Sequence, residues 1–264
     1  MGPAQRIAIS WMLLVMMATA AADEPDFAEQ RRQMVSDVAA MARSTASEIG
    51  RDRFSEPVLR ALGNVPRHRF VPGASVDAAY RNSPLPIGRG QTISQPYIVA
   101  LSTELIEAQA RHVVLEVGTG SGYQAAVLAE IVERVYSIEV VESLGREAAD
   151  RLVALGYRNV EVRIGDGYQG WPQKGPFDAI VVTAAAPEVP APLLQQLKPG
   201  GRMVIPVDRH PGGQDLLLIE KSADGSIRKR AVIPVRFVPL TGPGVGAAPA
   251  AGSATNAGPK PQEK

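Results

Sequence analysis

The apolar run Val113-Val114-Leu115 closes on Glu116-Val117 and passes straight into Gly118-Thr119-Gly120-Ser121-Gly122-Tyr123. Gln124-Ala125-Ala126-Val127-Leu128-Ala129 then opens a helical pattern. A buried strand, a glycine turn and a helix in such close succession bring the backbone up to a nucleotide-like ligand with no Cβ atoms in the way. The spacing bears on which nucleotide. The dinucleotide fingerprint G-x-G-x-x-G needs its third glycine at position 123, but Tyr123 stands there and Gly122 comes one residue early. Acid-x-Gly-x-Gly-x-Gly instead suits S-adenosylmethionine (SAM), which has no pyrophosphate to seat on the helix N-terminus. On the motif alone, NAD remains the second reading.

The flanking sequence extends this into a fold. From position 112, strand and helix alternate: strands over 113–117, 135–138, 160–164, 177–182 and 203–207, with helices over 123–133 and 190–197 and another carrying Leu144, Ala148, Leu152 and Leu155. Pro199-Gly200-Gly201 reads as the stop of the 190–197 helix. The last two strands, 216–219 and 232–238, have no helix between them and are expected as antiparallel additions at one edge. Upstream, the spacing predicts a helix over 26–43, a short one over 56–62, an extended connector over 63–72 and a Pro- and Gly-rich loop over 83–95. A helix with Ile98, Leu101, Leu105 and Ile106 on one side follows that loop. The expected class is α/β: a Rossmann-like, mixed but mostly parallel sheet with helices on both faces, preceded by an N-terminal helical extension.

Composition narrows the chemistry. The chain has 264 residues and no cysteine, so disulfides, thiolate nucleophiles and Cys-ligated zinc are excluded. Lys+Arg of 28 against Asp+Glu of 27 gives no basic excess to hold a polyanion, which argues against nucleic acid as partner. His68, His112 and His210 are scattered without ligand spacing; they are read as surface or connector residues, and no metal is expected. The ends are read as lying outside the fold. Residues 1–22 carry Arg6, an apolar run over 7–17 and an Ala20-x-Ala22 site, the pattern of a secretory signal peptide too short to span a membrane. An extension upstream of a later start such as Met34 is the alternative. Residues 242–264 are Gly, Ala and Pro with little to bury, and are expected as a disordered tail. Residues 23–110 then hold the N-terminal helices and a substrate loop, and 111–241 the SAM-binding core.

In an open parallel sheet, ligands sit beyond the carboxyl ends of the strands, near the point where strand order reverses. Gly118, Gly120 and Gly122 fall there. So does Glu139, 23 positions after Glu116, whose carboxylate can accept both ribose hydroxyls. Asp166-Gly167 ends the next strand, where a carboxylate can take an adenine amino group, and Thr183-Ala184-Ala185-Ala186 is small enough to border a reaction cleft. Plainer readings stand beside these. Glu139 is open to being a solvated acid capping the next helix, and Asp166 to sitting in a Gly-Asp-Gly turn. Glu116 is read as orienting the loop through hydrogen bonds and is counted with the cofactor set. Acids here also suit the cationic sulfur and amine of SAM.

Ser83-Pro-Leu-Pro-Ile-Gly-Arg-Gly-Gln-Thr-Ile-Ser-Gln-Pro-Tyr97 resembles the signature loop of protein-L-isoaspartate O-methyltransferases. The similarity takes in residues 65–72, 115–124, 165–171, 176–185 and 235–241, and so covers roughly 34–241; Gln91-Thr92-Ile93-Ser94-Gln95-Pro96 is its most specific part. The resemblance implies methyl transfer from SAM to the free carboxylate of an L-isoaspartyl residue in a damaged protein, with D-aspartyl as a weaker substrate. The ester then promotes return to a succinimide and so to normal aspartate. It also implies Ser94 as the catalytic-site serine, with Gln91, Thr92 and Ile93 beside it in the substrate pocket and Thr241 bordering the cofactor. From the residues alone, Ser94 is open to being a plain N-cap serine before Pro96. Arg67 and Arg69 are open between meeting a substrate carboxylate and forming an ordinary solvated pair. A carboxyl of pKa ~4 is already ionised at neutral pH, so positioning and desolvation suffice without a general base. The implied partners are isoaspartyl-containing proteins and peptides; the chain is expected to be a monomer without stable membrane association once processed. Cytoplasmic residence follows from the resemblance, while the 1–22 pattern points to the periplasm. A SAM enzyme for another substrate and an NAD-dependent oxidoreductase remain the rivals.

Overall fold

A computed structural model describes residues 27–209 and 212–245. The proposed signal segment and residues 246–264 of the proposed tail therefore lie outside the described residues. In strand β3 (Val113–Val117), consecutive side chains enter different apolar clusters. Val114 joins the cluster built with the N-terminal helices, whereas Leu115 and Val117 join a second one. The same split separates Ala179 and Val181 from Ile180 and Val182, and Val204 from Met203 and Ile205. A strand with both faces buried can be apolar at every position, which is why these segments read as unbroken hydrophobic runs.

We number the N-terminal elements α1 (Ala28–Ser44), α2 (Ala46–Ile49), α3 (Glu56–Asn64), α4 (Val76–Tyr80), β1 (Leu85–Gly88), β2 (Gln91–Ile93) and α5 (Pro96–Leu105). After β3 come α6 (Tyr123–Ala129), β4 (Arg134–Glu139), α7 (Glu142–Ala154), β5 (Val160–Ile164), β6 (Phe177–Val182), α8 (Ala191–Gln196), β7 (Leu197–Asp208), β8 (Gln214–Lys221) and β9 (Ile227–Val235). The large sheet has the order β5-β4-β3-β6-β7-β8-β9. β3, β4, β5, β6 and β7 run parallel, and β8 and β9 add antiparallel at one edge as expected. Strand order reverses between β3 and β6, so the crevice lies where β3 hands over to the glycine turn.

Four local expectations are corrected. The supposed extended connector contains a one-turn 3-10 helix, Arg67–Phe70, with Phe70 fully buried. The Pro- and Gly-rich loop is a hairpin, β1–β2. Its turn residues Arg89 (φ 53°) and Gly90 (φ 72°) both have positive φ, the geometry that matches a two-residue turn to strand twist. Pro199-Gly200-Gly201 does not follow the helix as a stop. The helix ends at Gln196, strand β7 begins at Leu197, and the triplet forms an irregularity between the pairs Phe177↔Leu197 and Ala179↔Arg202. Glycine at φ 81° lets the strand absorb the extra residues. Finally, α5 is buried nearly all round, not on one side. Ser102 and Thr103 are buried with its apolar residues, and Thr103 Oγ1 donates to the Val99 carbonyl at 2.8 Å.

Candidate active site

The turn after β3 is fixed from below. Gly118 N and Thr119 N both donate to the Ile138 carbonyl, at 2.8 and 3.2 Å. Thr183, just past β6, donates through Oγ1 to the carbonyls of Val117 (3.1 Å) and Gly118 (2.5 Å). Gly118 sits at φ 97°, and a Cβ there would stand 2.3 Å from that Oγ1. Only glycine allows this contact. Gly120 N donates to Glu139 Oε2 at 2.8 Å, and Gly122, at φ 91°, is the residue before α6. Tyr123, at the position a dinucleotide fingerprint gives to glycine, is 1% exposed and packs edge-on against Phe70.

The acids divide into different roles. Glu116 is completely buried. Ser137 Oγ donates to its Oε2 and is itself hydrogen-bonded to Thr119 Oγ1 at 2.6 Å, while Glu116 Oε1 has no hydrogen-bond partner. Burial pushes this carboxyl up to about 8, against the lowering effect of the Ser137 hydrogen bond and with help from nearby Glu139. Glu139 is 5% exposed and accepts from Gly120 N and, at 2.9 Å, from Val141 N at the start of α7. Val141 is itself the N-cap residue of α7, so this bond orders the turn before the helix without capping its first-turn amides, and Glu139 is a buried cleft residue and not a solvated capping acid. Asp166 accepts from Tyr168 N (3.0 Å) and from Gly244 N (2.7 Å), so both oxygens are engaged by backbone. Residues 242–245, expected in the tail, are thus held in place, and Val245 packs against the second core cluster.

Three chambers meet at this end of the sheet. The first is lined by Val117, Gly118, Gly120, Glu139, Gly167 and Thr241, among others, and also by Gln91. The second is an open groove of about 410 Å³ between the end of the hairpin and the segment after β9, with Ser94, Ile98, Arg236 and Phe237 in its walls. The third runs under the glycine turn and includes Ile93, Ser94, Glu116 and Tyr123. Thr92 and Thr183 border all three. The predicted set is therefore brought together except for Asp166 and Gly122, which support the walls without lining a chamber.

Ser94 is not the N-cap of α5; that position is Gln95, with no side-chain cap. Tyr97 N is taken instead by Asn82 Oδ1 at 2.9 Å. Ser94 is half-buried at the meeting of the second and third chambers. Arg67 corrects both of its open readings. It is 0% exposed and donates to the carbonyls of Ala79, Ser83 and Ser94, while Arg69 is exposed. Sequence reasoning missed the Pro234–Leu240 wall as part of the site. Its position is set by Ala185 N donating to Val238 O (2.8 Å) and Leu240 N to Ala185 O (2.7 Å), pairing that no periodicity announces. His68 Nδ1 is hydrogen-bonded to Tyr80 Oη at 2.7 Å and His112 accepts from Gln109 N; His210 is outside the described residues. Among the described residues, no three His, Asp or Glu side chains converge as metal ligands.

A family model described as protein-L-isoaspartate(D-aspartate) O-methyltransferase matches residues 47–244. A protein of Cupriavidus necator named protein-L-isoaspartate O-methyltransferase 1 is 53% identical over 240 residues, 91% of this chain and 93% of that one. One from a Polaromonas species, named protein-L-isoaspartate O-methyltransferase 2, is 56% identical over 209 residues, 79% of this chain and 99% of that one. Among solved structures, a protein-L-isoaspartate O-methyltransferase superposes with TM-score 0.71 at 28% identity, covering 80% of this chain and 66% of that one. A Plasmodium falciparum protein described as a putative member, in complex with S-adenosyl-L-homocysteine, shares the fold at TM-score 0.66 and 24% identity, over 80% and 98% of the two chains.

Proposed function

This chain belongs to the protein-L-isoaspartate(D-aspartate) O-methyltransferase family, and on that premise we propose how its cleft carries out the reaction. The enzyme transfers a methyl group from SAM to isoaspartyl residues of damaged proteins and so initiates their repair. The observation that carries our reading is the meeting of the chambers at Thr92 and Thr183, with Ser94 where the open groove joins the chamber under the glycine turn.

We assign SAM to the first chamber because the glycine turn lines it with Gly118 and Gly120 and the buried Glu139 carboxylate flanks a cationic ligand there. Glu139 faces that chamber with its carboxylate already oriented by Gly120 N and Val141 N, placed to accept the ribose hydroxyls. Gly167 and Thr241 border the adenine side, with Asp166 holding Gly167–Gln169 and Gly244 in position. Bound SAM supplies an electrophilic methyl on a sulfonium that departs as a neutral thioether. The chain's own part is to bring an isoaspartyl carboxylate into the groove beside Ser94, exclude water from it and hold one oxygen in line with the methyl. The new O–CH3 bond uses a carboxylate lone pair, the S–CH3 pair returns to sulfur, and no proton moves. Ser94 donates a hydrogen bond that orients the carboxylate, and Gln91, Thr92 and Ile93 form the wall that separates it from the nucleoside. No general base is required.

Incubation with labelled SAM and paired peptides differing only in isoaspartate or aspartate tests this. Base-labile methyl incorporation confined to the isoaspartyl peptide is expected; equal labelling of both peptides defeats the assignment. For location, we propose the cytoplasm, where SAM is made. The second reading, export, is favoured by the pattern over 1–22, and sequencing the mature N-terminus distinguishes them, since cleavage leaves Asp23 first. Among the described residues, no helix is long and apolar enough to cross a membrane.

A further inference from the structure

A guanidinium removed from water is ordinarily matched by a carboxylate, because desolvating an unpaired charge is costly. Arg67 is fully buried, yet its acceptors are main-chain carbonyls. Nε donates to Ala79 O at 2.9 Å, and Nη2 to Ser83 O at 3.2 Å and to Ser94 O at 2.8 Å. Its Cζ lies 4.7 Å from the centroid of the Tyr123 ring. Among the described residues no carboxylate is paired with it, and the groups acting on its charge are Tyr123 and Tyr80. Peptide dipoles and an aromatic face offset the charge, and among the described residues no counter-ion neutralises it. Burial holds its pKa below the ordinary arginine value, from a starting point high enough that it stays protonated.

The acceptors have a topological meaning. Ser83 and Ser94 flank the β1–β2 hairpin, so one side chain grips both feet of the strand pair that carries Gln91, Thr92 and Ile93. Tyr123 is the first residue of the helix that follows the glycine turn. Arg67 thereby joins the acceptor side of the cleft to the donor side at one dry point. The start of α5 cannot supply the same attraction for an anion through its amides. Pro96 has no N–H, Tyr97 N is taken by Asn82, and the N–H groups of Ile98 and Val99 are taken by the Gln95 carbonyl.

We infer that Arg67 is a positioning residue for the methyl acceptor: it fixes Ser94 and the hairpin feet, and its unneutralised charge behind Ser94 favours an anionic carboxylate in the groove. The inference rests on the proposed role of the Ser94 groove. It predicts that affinity for the acceptor depends on the fork and charge of Arg67, while affinity for the nucleoside does not.

The test uses the full chain with Arg67→Lys, which keeps the charge but not the fork, and Arg67→Met, which removes both. KM and kcat are measured with an isoaspartyl peptide, and the Kd of S-adenosylhomocysteine by calorimetry. Arg67→Lys should raise the peptide KM roughly tenfold with kcat changed less than threefold, and Arg67→Met should raise KM further. The Kd of S-adenosylhomocysteine should stay within about twofold in both, a range set by the coupling expected across separate networks. An unchanged KM in Arg67→Lys overturns the inference. So does a loss of S-adenosylhomocysteine binding in step with KM, or its complete loss, because Arg67 would then support the fold at large. A wild-type chain that does not discriminate isoaspartate from aspartate defeats the proposed function instead, which separates the two failures.

Discussion

Replacing Glu116 by glutamine removes a titration from the centre of the molecule while keeping the shape of the side chain. The Glu116 carboxyl is completely buried, and its pKa is raised by that burial from 4.5 to about 8. Because the folded value lies above the unfolded one, the protonated form suits the fold. Its contribution is fully present below pH 4.5 and is lost as the pH rises toward 8, where the unfolded chain is ionised and the native one must follow. At ~1.4 kcal/mol per pH unit, the gap between 4.5 and about 8 sets a ceiling of about 5 kcal/mol. Relaxation and water entry around the ionised group reduce this to about 2–4 kcal/mol. For a domain of this size each kcal/mol moves Tm by roughly 2–4 °C. Thermal unfolding of wild type and Glu116→Gln, followed by circular dichroism from pH 4.5 to 8.5, should therefore give curves that diverge. The variant gains about 5 °C or more on wild type between the two ends of that range. Parallel curves, whatever their constant offset, would refute the argument, because a fixed difference in hydrogen bonding cannot produce a pH-dependent gap. The same carboxyl borders the chamber under the glycine turn, so SAM binding should favour its ionised form. Calorimetry at pH 7 in two buffers of different ionisation enthalpy should detect proton release in wild type and none in the variant.

Three further outcomes follow from the site. Ser94→Ala should lower turnover on an isoaspartyl peptide roughly 10–100-fold, the value of one oriented hydrogen bond or slightly more, with S-adenosylhomocysteine affinity nearly intact. A parallel loss of both would reassign Ser94. Gly118→Ala places a Cβ 2.3 Å from Thr183 Oγ1 on a backbone at φ 97°, so SAM binding measured by calorimetry should fall at least tenfold. Wild-type affinity in that variant would mean the turn is not the nucleoside cradle. Asp166→Ala frees Gly244 N and Tyr168 N, so hydrogen exchange over 241–245 should quicken and SAM affinity should weaken. Unchanged exchange there would show that Asp166 does not hold the segment.

The sheet was legible because its strands are buried on both faces. Residues 113–117 and 177–182 could be read as strands from their apolar runs, and the glycine spacing located the crevice between them. The β1–β2 hairpin was not. Its strands are three and four residues long, shorter than a period-2 signal needs, and Pro84, Pro86, Gly88 and Gly90 resemble loop chemistry. Pro199-Gly200-Gly201 misled for a related reason: the same residues that stop a helix also accommodate a bulge. Arg67 was the least legible, since burial of a lone cation runs against what residue type predicts, and its partners are carbonyls that leave no mark in the side-chain sequence. Ser94 was singled out through the surrounding motif and its role stays a proposal. What the fold added is that its hydroxyl is not spent on capping α5.

The groove beside Ser94 is a trench walled by a hairpin on one bank and by Pro234–Val238 on the other, and among the described residues it lies open. A trench admits a polypeptide from the side, anywhere along its length, whereas a tunnel would require a free end. On the proposed reading of this groove, a lesion in a loose segment is an easier substrate than one locked in a helix or sheet.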